Sequence, residues 1–419
     1  AITLSNLVSG EALNHSGTAT IGSANAGSYT ITNLSGISIA DGSGGTASNY
    51  TLTGGTHNFT VNRRAVSVSG TRLYDATTNA VASDLSTHAN LVGSETLNLS
   101  GTGTIASKNV GSNKTVSVGT LALADGSNGG LAANYTLSGG THQLTVNQRP
   151  LNATLARQYD GTTTAAGSDL SSFDALQGGE TLTMTGSGTA ASANVANGIA
   201  MSSNGTLALA DGTGLASNYS LNSTVINIAQ RVLNSSGSKT YDANTDALAG
   251  AITLSNLVSG EALNHSGTAT ISSANAGSYT ITNLSGISIA DGSGGTASNY
   301  TLTGGTHNFT VNRRAVSVSG TRLYDATTNA VASDLSTHAN LVGSETLNLS
   351  GTGTIASKNV GSNKTVSVGT LALADGSNGG LAANYTLSGG THQLTVNQRP
   401  LNATLARQYD GTTTAAGSD

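Results

Sequence analysis

The sequence predicts an all-β chain, a tandem array of small antiparallel, two-layer, sandwich-like modules of about 83 residues forming a linear rod. Three observations predict it. The first is a fixed period: RQYDGTTTA at Arg157 to Ala165 returns as RLYDATTNA at Arg72 to Ala80 and KTYDANTDA at Lys239 to Ala247, then at Arg322 to Ala330 and Arg407 to Ala415. A period on this scale decides the architecture before any local reading. The second is composition. Charged residues are 9% and aromatics 4%, and 55 glycines with many Ser, Thr and Asn fill the gap. That mixture favours pleated, half-buried strands joined by turns. The third is short apolar alternation broken at close intervals by turn signals, with no amphipathic helix.

The period divides the chain into a partial module at 1–63, modules at 64–148, 149–230, 231–313 and 314–398, and an opening strand alone at 399–419. Residues 251–419 repeat residues 1–169 with one difference, Gly22 against Ser272. The modules within that larger block have diverged widely, so the block was copied later. The ragged ends read as a window on a longer protein. The alternative is head-to-tail strand donation, in which 399–419 fills the vacancy in the first module of the next chain.

Within 64–148 the opening AVSVSGTRLY alternates, with Val66 and Val68 on one side. ATTNA after Tyr74-Asp75 reads as a turn or short edge strand. Leu97 and Leu99 mark the next strand, and Val116, Val118, Leu121 and Leu123 another, closed by Asp125-Gly126. Tyr135 and Leu137 then lead to Gly139-Gly140, after which Leu144 and Val146 resume in the opposite phase. That phase change predicts a tight hairpin or a bulge. The pattern amounts to about five to seven strands per module.

Charge and composition exclude several classes. A net charge of −5 with scattered Lys and Arg offers no basic, aromatic-lined stripe for nucleic acid. No apolar run approaches the length of a membrane span. Zero Cys removes disulfides and thiolate metal sites. The polar Ser/Thr/Asn surface fits an extracellular, cell-surface life. Asn-x-Ser/Thr triplets such as Asn49-Tyr50-Thr51 arise by chance in such a composition.

The module junctions read VNRRAVSV, VNQRPLNA and IAQRVLNS, around Arg63, Arg64, Arg149 and Arg231, and recur at Arg314 and Arg399. They contain no Gly/Ser or Pro-rich spacer, so neighbours are expected to hold a fixed relation.

Two recurring sets are candidate sites. Tyr74, Tyr159, Tyr241, Tyr324 and Tyr409 each precede an Asp, at Asp75, Asp160, Asp242, Asp325 and Asp410, with Arg or Lys two positions earlier. Strand spacing would put that base beside the Tyr. Tyr as core and Asp as turn closer is the leading reading, and a surface glycan-binding pair the alternative. The second set is Asp-Gly followed by Asn-Tyr, as in Asp41 with Asn49-Tyr50, Asp125 with Asn134-Tyr135 and Asp211 with Asn218-Tyr219. One carboxylate per loop suits turn chemistry better than a weak calcium site. Glu11, Glu95 and Glu180 read as charges keeping strand starts solvated. His57 and His142 match between modules without a partner set, and Lys108 and Lys114 belong to one module type, which argues against a shared Lys–Asn crosslink. No catalytic grouping, cofactor site or metal site stands out, and the chain is expected not to be an enzyme.

RQYDGTTTA, SGTGTIASKNVGSNKTVSVGTLALADG and NYTLSGGTHQLTVNQRPL resemble the YDG and related MBG repeats of very large bacterial surface proteins. Such repeats occur in filamentous-haemagglutinin-like adhesins exported by two-partner secretion. The Gly of YDG is Ala76 and Ala243 in two of three modules, which implies a position needing no positive φ. The resemblance implies a structural stalk or filament in adhesion or biofilm matrix. Its partners would be neighbouring modules and other chains associating laterally or head to tail. A multivalent array binding glycans or another host- or cell-surface ligand through avidity is the alternative.

Overall fold

The computed structural model describes residues 2–418. The chain is all-β, 47% strand, with four repeated sheet modules of about 83 residues. It divides into two compact units. The first holds residues up to 157 with 163–192 and 198–227; the second holds 158–162, 193–197 and residues from 228 on.

Repeat 64–148, in the first unit, shows how the sequence builds one module. Ser67–Leu73 and Gln143–Asn147, the opening and closing strands, lie side by side in parallel, Ser69 opposite Gln143 and Leu73 opposite Asn147. Around this pair a six-stranded sheet runs in the order Asn79–Val81, Thr102–Ile105, Gly111–Ser117, Gln143–Asn147, Ser67–Leu73, Thr87–Ala89. Every other pairing in it is antiparallel. Two ribbons complete the module: Leu97–Ser100 with Ala122–Asp125, antiparallel, and Tyr135–Thr136 with Arg64–Ala65, parallel. Val66, Val68, Leu85, Leu97, Leu121, Tyr135, Leu144 and Val146 form one buried core.

The expected alternation is therefore present, with three differences. The sheet is mixed, because first and last strands close the module side by side in the same direction. There are ten strands, two of them two residues long. The extra ones, such as Thr87–Ala89, are too short and polar to show a period. The phase change at Gly139-Gly140 is neither hairpin nor bulge: Tyr135–Thr136 pairs with Arg64–Ala65, and Gln143–Asn147 with the large sheet. The chain crosses between sheets there. It does so again at Gly101 (φ +84°), where a Cβ would strike the Thr120 carbonyl, so Leu97–Ser100 and Thr102–Ile105 enter different sheets.

The strand order recurs in 149–230 and 314–398, and in 231–313 with Ile287–Asp291 joined to Leu263–Ile271. A single residue, Gln148, separates Gln143–Asn147 from Arg149–Gln158, and Arg313 alone separates His307–Asn312 from Arg314–Ala315. The buried core does not stop at these points. In the first unit it continues into Leu151, Leu182 and Tyr219, and in the second it runs from Tyr241 to Val396.

Residues 399–418 differ from expectation. Their counterparts 149–158 form a ten-residue strand, whereas no strand occurs among the described residues after Asn397. Arg149–Gln158 lies between Tyr219–Ala229 and Leu170–Phe173 of its own repeat.

Candidate functional site

The recurring residues converge on one constellation, present three times among the described residues. In the first unit Tyr74, just past its strand, donates its phenol hydrogen to Glu180 Oε1 at 2.6 Å. Tyr219 donates to Oε2 of the same carboxylate at 2.9 Å. The two rings meet edge to face with centroids 5.3 Å apart. In the second unit Glu261 is held between Tyr159 and Tyr300 at 2.6 Å each, and Glu345 between Tyr241 and Tyr385 at 2.7 and 2.5 Å. Their ring pairs repeat the edge-to-face geometry at 5.4 Å. Each carboxylate oxygen accepts from one phenol, which satisfies groups that would be costly to bury unpaired.

The Asn before the second Tyr adds two bonds. Asn218 Oδ1 accepts the Val110 amide at 2.9 Å and its Nδ2 donates to Asn109 Oδ1 at 3.0 Å. Asn299 does the same for Val195 and Asn194, and Asn384 for Ala276 and Asn275. Asn134 binds Ala26 and Asn25 likewise. A guanidinium closes the clamp: Arg149, Arg231 and Arg314 donate through Nη1 to the carbonyls of Tyr74, Tyr159 and Tyr241. Arg64 donates to the Asn90 carbonyl, and Arg63 and Arg399 are exposed.

Electrostatics follow from burial. Burial pushes the Glu180 carboxyl up, but hydrogen bonds from Lys108, Tyr74 and Tyr219 more than offset it and hold it below its ordinary value. Burial, reinforced by the neighbouring carboxylate, raises the phenols of Tyr219, Tyr241, Tyr300 and Tyr385 to about 12.

The Asp of each Tyr-Asp pair closes a turn. Oδ1 of Asp75, Asp160, Asp242, Asp325 and Asp410 accepts the amide two residues on, at 2.9–3.1 Å. Arg72 does not lie beside the Tyr74 ring. It folds over this turn, pairing with Asp75 Oδ2 at 2.7 Å and donating to the carbonyls of Thr77 and Asn79. Arg322 and Lys239 act alike at Asp325 and Asp242. The residue after each Asp has positive φ whether it is Gly161 (79°) or Ala76 (65°), Ala243 (62°) and Ala326 (63°). The expectation drawn from alanine was wrong: a well-held turn carries the strain of left-handed alanine.

The glutamates also depart from expectation. The Glu180 side chain is 8% exposed and belongs to the clamp; its partner Tyr74 lies too far away in sequence for local reading to find. The recurrence of one Glu and two Tyr per period was the available signal. Tyr74 is fully buried, so it cannot form a surface pair with Asp75 for a sugar. Tyr324 is half-buried and Tyr409 is 97% exposed. In the Asp-Gly loops, Oδ1 of Asp41, Asp125 and Asp211 accepts the amide of Ala47, Ala132 or Ala216, capping a short 3₁₀ turn. Among the described residues no group of three His, Asp or Glu could hold a metal ion, and no helix is long and apolar enough to cross a membrane. His142 accepts or donates only within the core, through Val68 and Leu137. Its counterpart Thr224 has a buried hydroxyl without a partner among the described residues.

The YDG domain model matches residues 56–144, 141–226, 229–308 and 308–393. The chain belongs to the YDG domain family. The Tyr-Asp turn that marks the family is thus the element that delivers one tyrosine to each clamp. Comparison with curated proteins finds no match.

Proposed function

We propose that these tandem YDG repeats form a stalk or filament of an extracellular bacterial surface adhesin or biofilm-matrix fibre, supplying length and stiffness without catalysis. The observation that carries the reading is the clamp of two tyrosines and a glutamate, which ties the opening turn of one repeat into the following one. Within each unit, the one-residue connections at Gln148 and Arg313, with a core continuing past them, leave no flexible spacer. In linear arrays such nearest-neighbour terms make successive units stabilise one another. Repetition of nearly unchanged sequence multiplies length and avidity, not chemistry. The adhesin setting rests on the likeness to repeats of secreted surface proteins, and lateral or head-to-tail association of chains belongs to the same reading.

Electron microscopy and small-angle scattering of the chain and a version extended by one further 250-residue block test it. The expected result is a straight particle whose length grows by roughly 30–45 Å per repeat, the length of a strand of about ten residues. Beads swivelling independently would overturn the reading.

A further inference from the structure

The three clamps share their tyrosines, glutamate and asparagine but not their charge. At the first, Lys108 Nζ lies 2.6 Å from Glu180 Oε1 and 5.9 Å from the centroid of the Tyr74 ring. The positions equivalent to Lys108 at the other two clamps are Ala193 and Ala274, one residue before the Asn194 and Asn275 that meet Asn299 and Asn384. Glu180 is thus a buried carboxylate accepting from two phenols and an ammonium, while Glu261 and Glu345 accept from two phenols. The charge-assisted bond is the stronger kind, and the Tyr74 face adds attraction for the cation.

We propose that Lys108 is a positioning residue that makes the Tyr74–Glu180–Tyr219 clamp the tightest and the salt-sensitive one, so that one junction type in each repeating block is reinforced. The Tyr74–Lys108 face becomes a docking surface for a repeat presenting a buried carboxylate, whereas the clamps at Glu261 and Glu345 hold through neutral donors. The inference goes beyond the stalk reading and stands on geometry that does not depend on it.

The amides of Val110, Val195 and Ala276 each donate to the asparagine of a different clamp, so one molecule carries its own controls. Their hydrogen exchange, followed by NMR on the full chain, reads each clamp separately. Lys108→Met keeps the apolar stem and removes the charge. It is expected to speed Val110 exchange about threefold, the scale of a partly exposed ion pair, and to leave Val195 and Ala276 unchanged. Ala193→Lys is expected to slow Val195 by a similar factor. In about 1 M salt, where the Debye length is roughly 3 Å, the wild-type difference at Val110 should shrink. If Val110 exchange is the same in Lys108→Met, or if all three amides change together, the charge pair is not what distinguishes this clamp.

Discussion

Residues 2–63 and 252–313 differ in sequence only at Gly22 and Ser272, yet they do not have the same structure. In both, the strand ending the repeat pairs antiparallel in the same register, Gly27 opposite Val61 and Gly277 opposite Val311. In the second copy that strand has another neighbour: Asn234–Thr240 runs parallel to His307–Asn312, with Gly237 opposite Phe309. Phe309, facing that strand, is 1% exposed: the opening strand completes the core of repeat 231–313.

The largest effect should come from Phe309. Phe309→Ala empties a filled core site and is expected to cost about 3–5 kcal/mol. Native-state hydrogen exchange by mass spectrometry reads it, since the substitution gives peptide 305–311 a mass of its own.

Next is Gly237→Val. A Cβ at Gly237 would press on the Ala251 carbonyl and come 2.7 Å from the Phe309 ring, so overpacking of about 1–3 kcal/mol should speed exchange across 305–311. The clamps come next. Glu261 accepts from two phenols, and Glu261→Ala is expected to cost about 2 kcal/mol, in the range of a lost hydrogen bond to a charged group, which thermal unfolding reads.

The pH response has a definite sign. Raised phenols at Tyr219, Tyr241, Tyr300 and Tyr385 mean that the unfolded chain loses these protons from about pH 10, before the folded chain does near 12. Their contribution is complete below pH 10 and disappears as pH climbs through that window. Alkaline titration followed at the tyrosinate absorbance should therefore show late, cooperative ionisation coincident with unfolding. At the acid end the depressed carboxyl of Glu180 contributes stability above its ordinary range, lost as pH falls through its lower folded value. Smallest is Ala76→Gly, which relieves a left-handed alanine (φ 65°) and should stabilise by about 0.5–1 kcal/mol.

Legibility in the sequence followed the distance over which a residue acts. Val66, Val68, Leu97, Val116, Leu144 and Val146 alternate locally, and all are buried. Turn closure by Asp75 spans two residues and was equally readable. Glu180 resembled a solvated strand edge because its partner Tyr74 is remote in the chain. The positive φ of Ala76 was hidden because the tolerance comes from Arg72 and Asp75 bracing the turn, not from the alanine itself. Residues 149–158 are a strand held between Tyr219–Ala229 and Leu170–Phe173, partners that local alternation does not name.

The shared carboxylate has a practical corollary. Each clamp takes one phenol from the repeat before it, so family-model boundaries and folding boundaries are out of step. A singly expressed repeat such as 231–313 would carry Tyr241 without its acceptor Glu345 and Glu261 without its donor Tyr159, leaving two half-made contacts open to water or to a stranger. Two consecutive repeats are the smallest piece that encloses one whole contact, and biochemistry on shorter fragments would report the chemistry of cut ends.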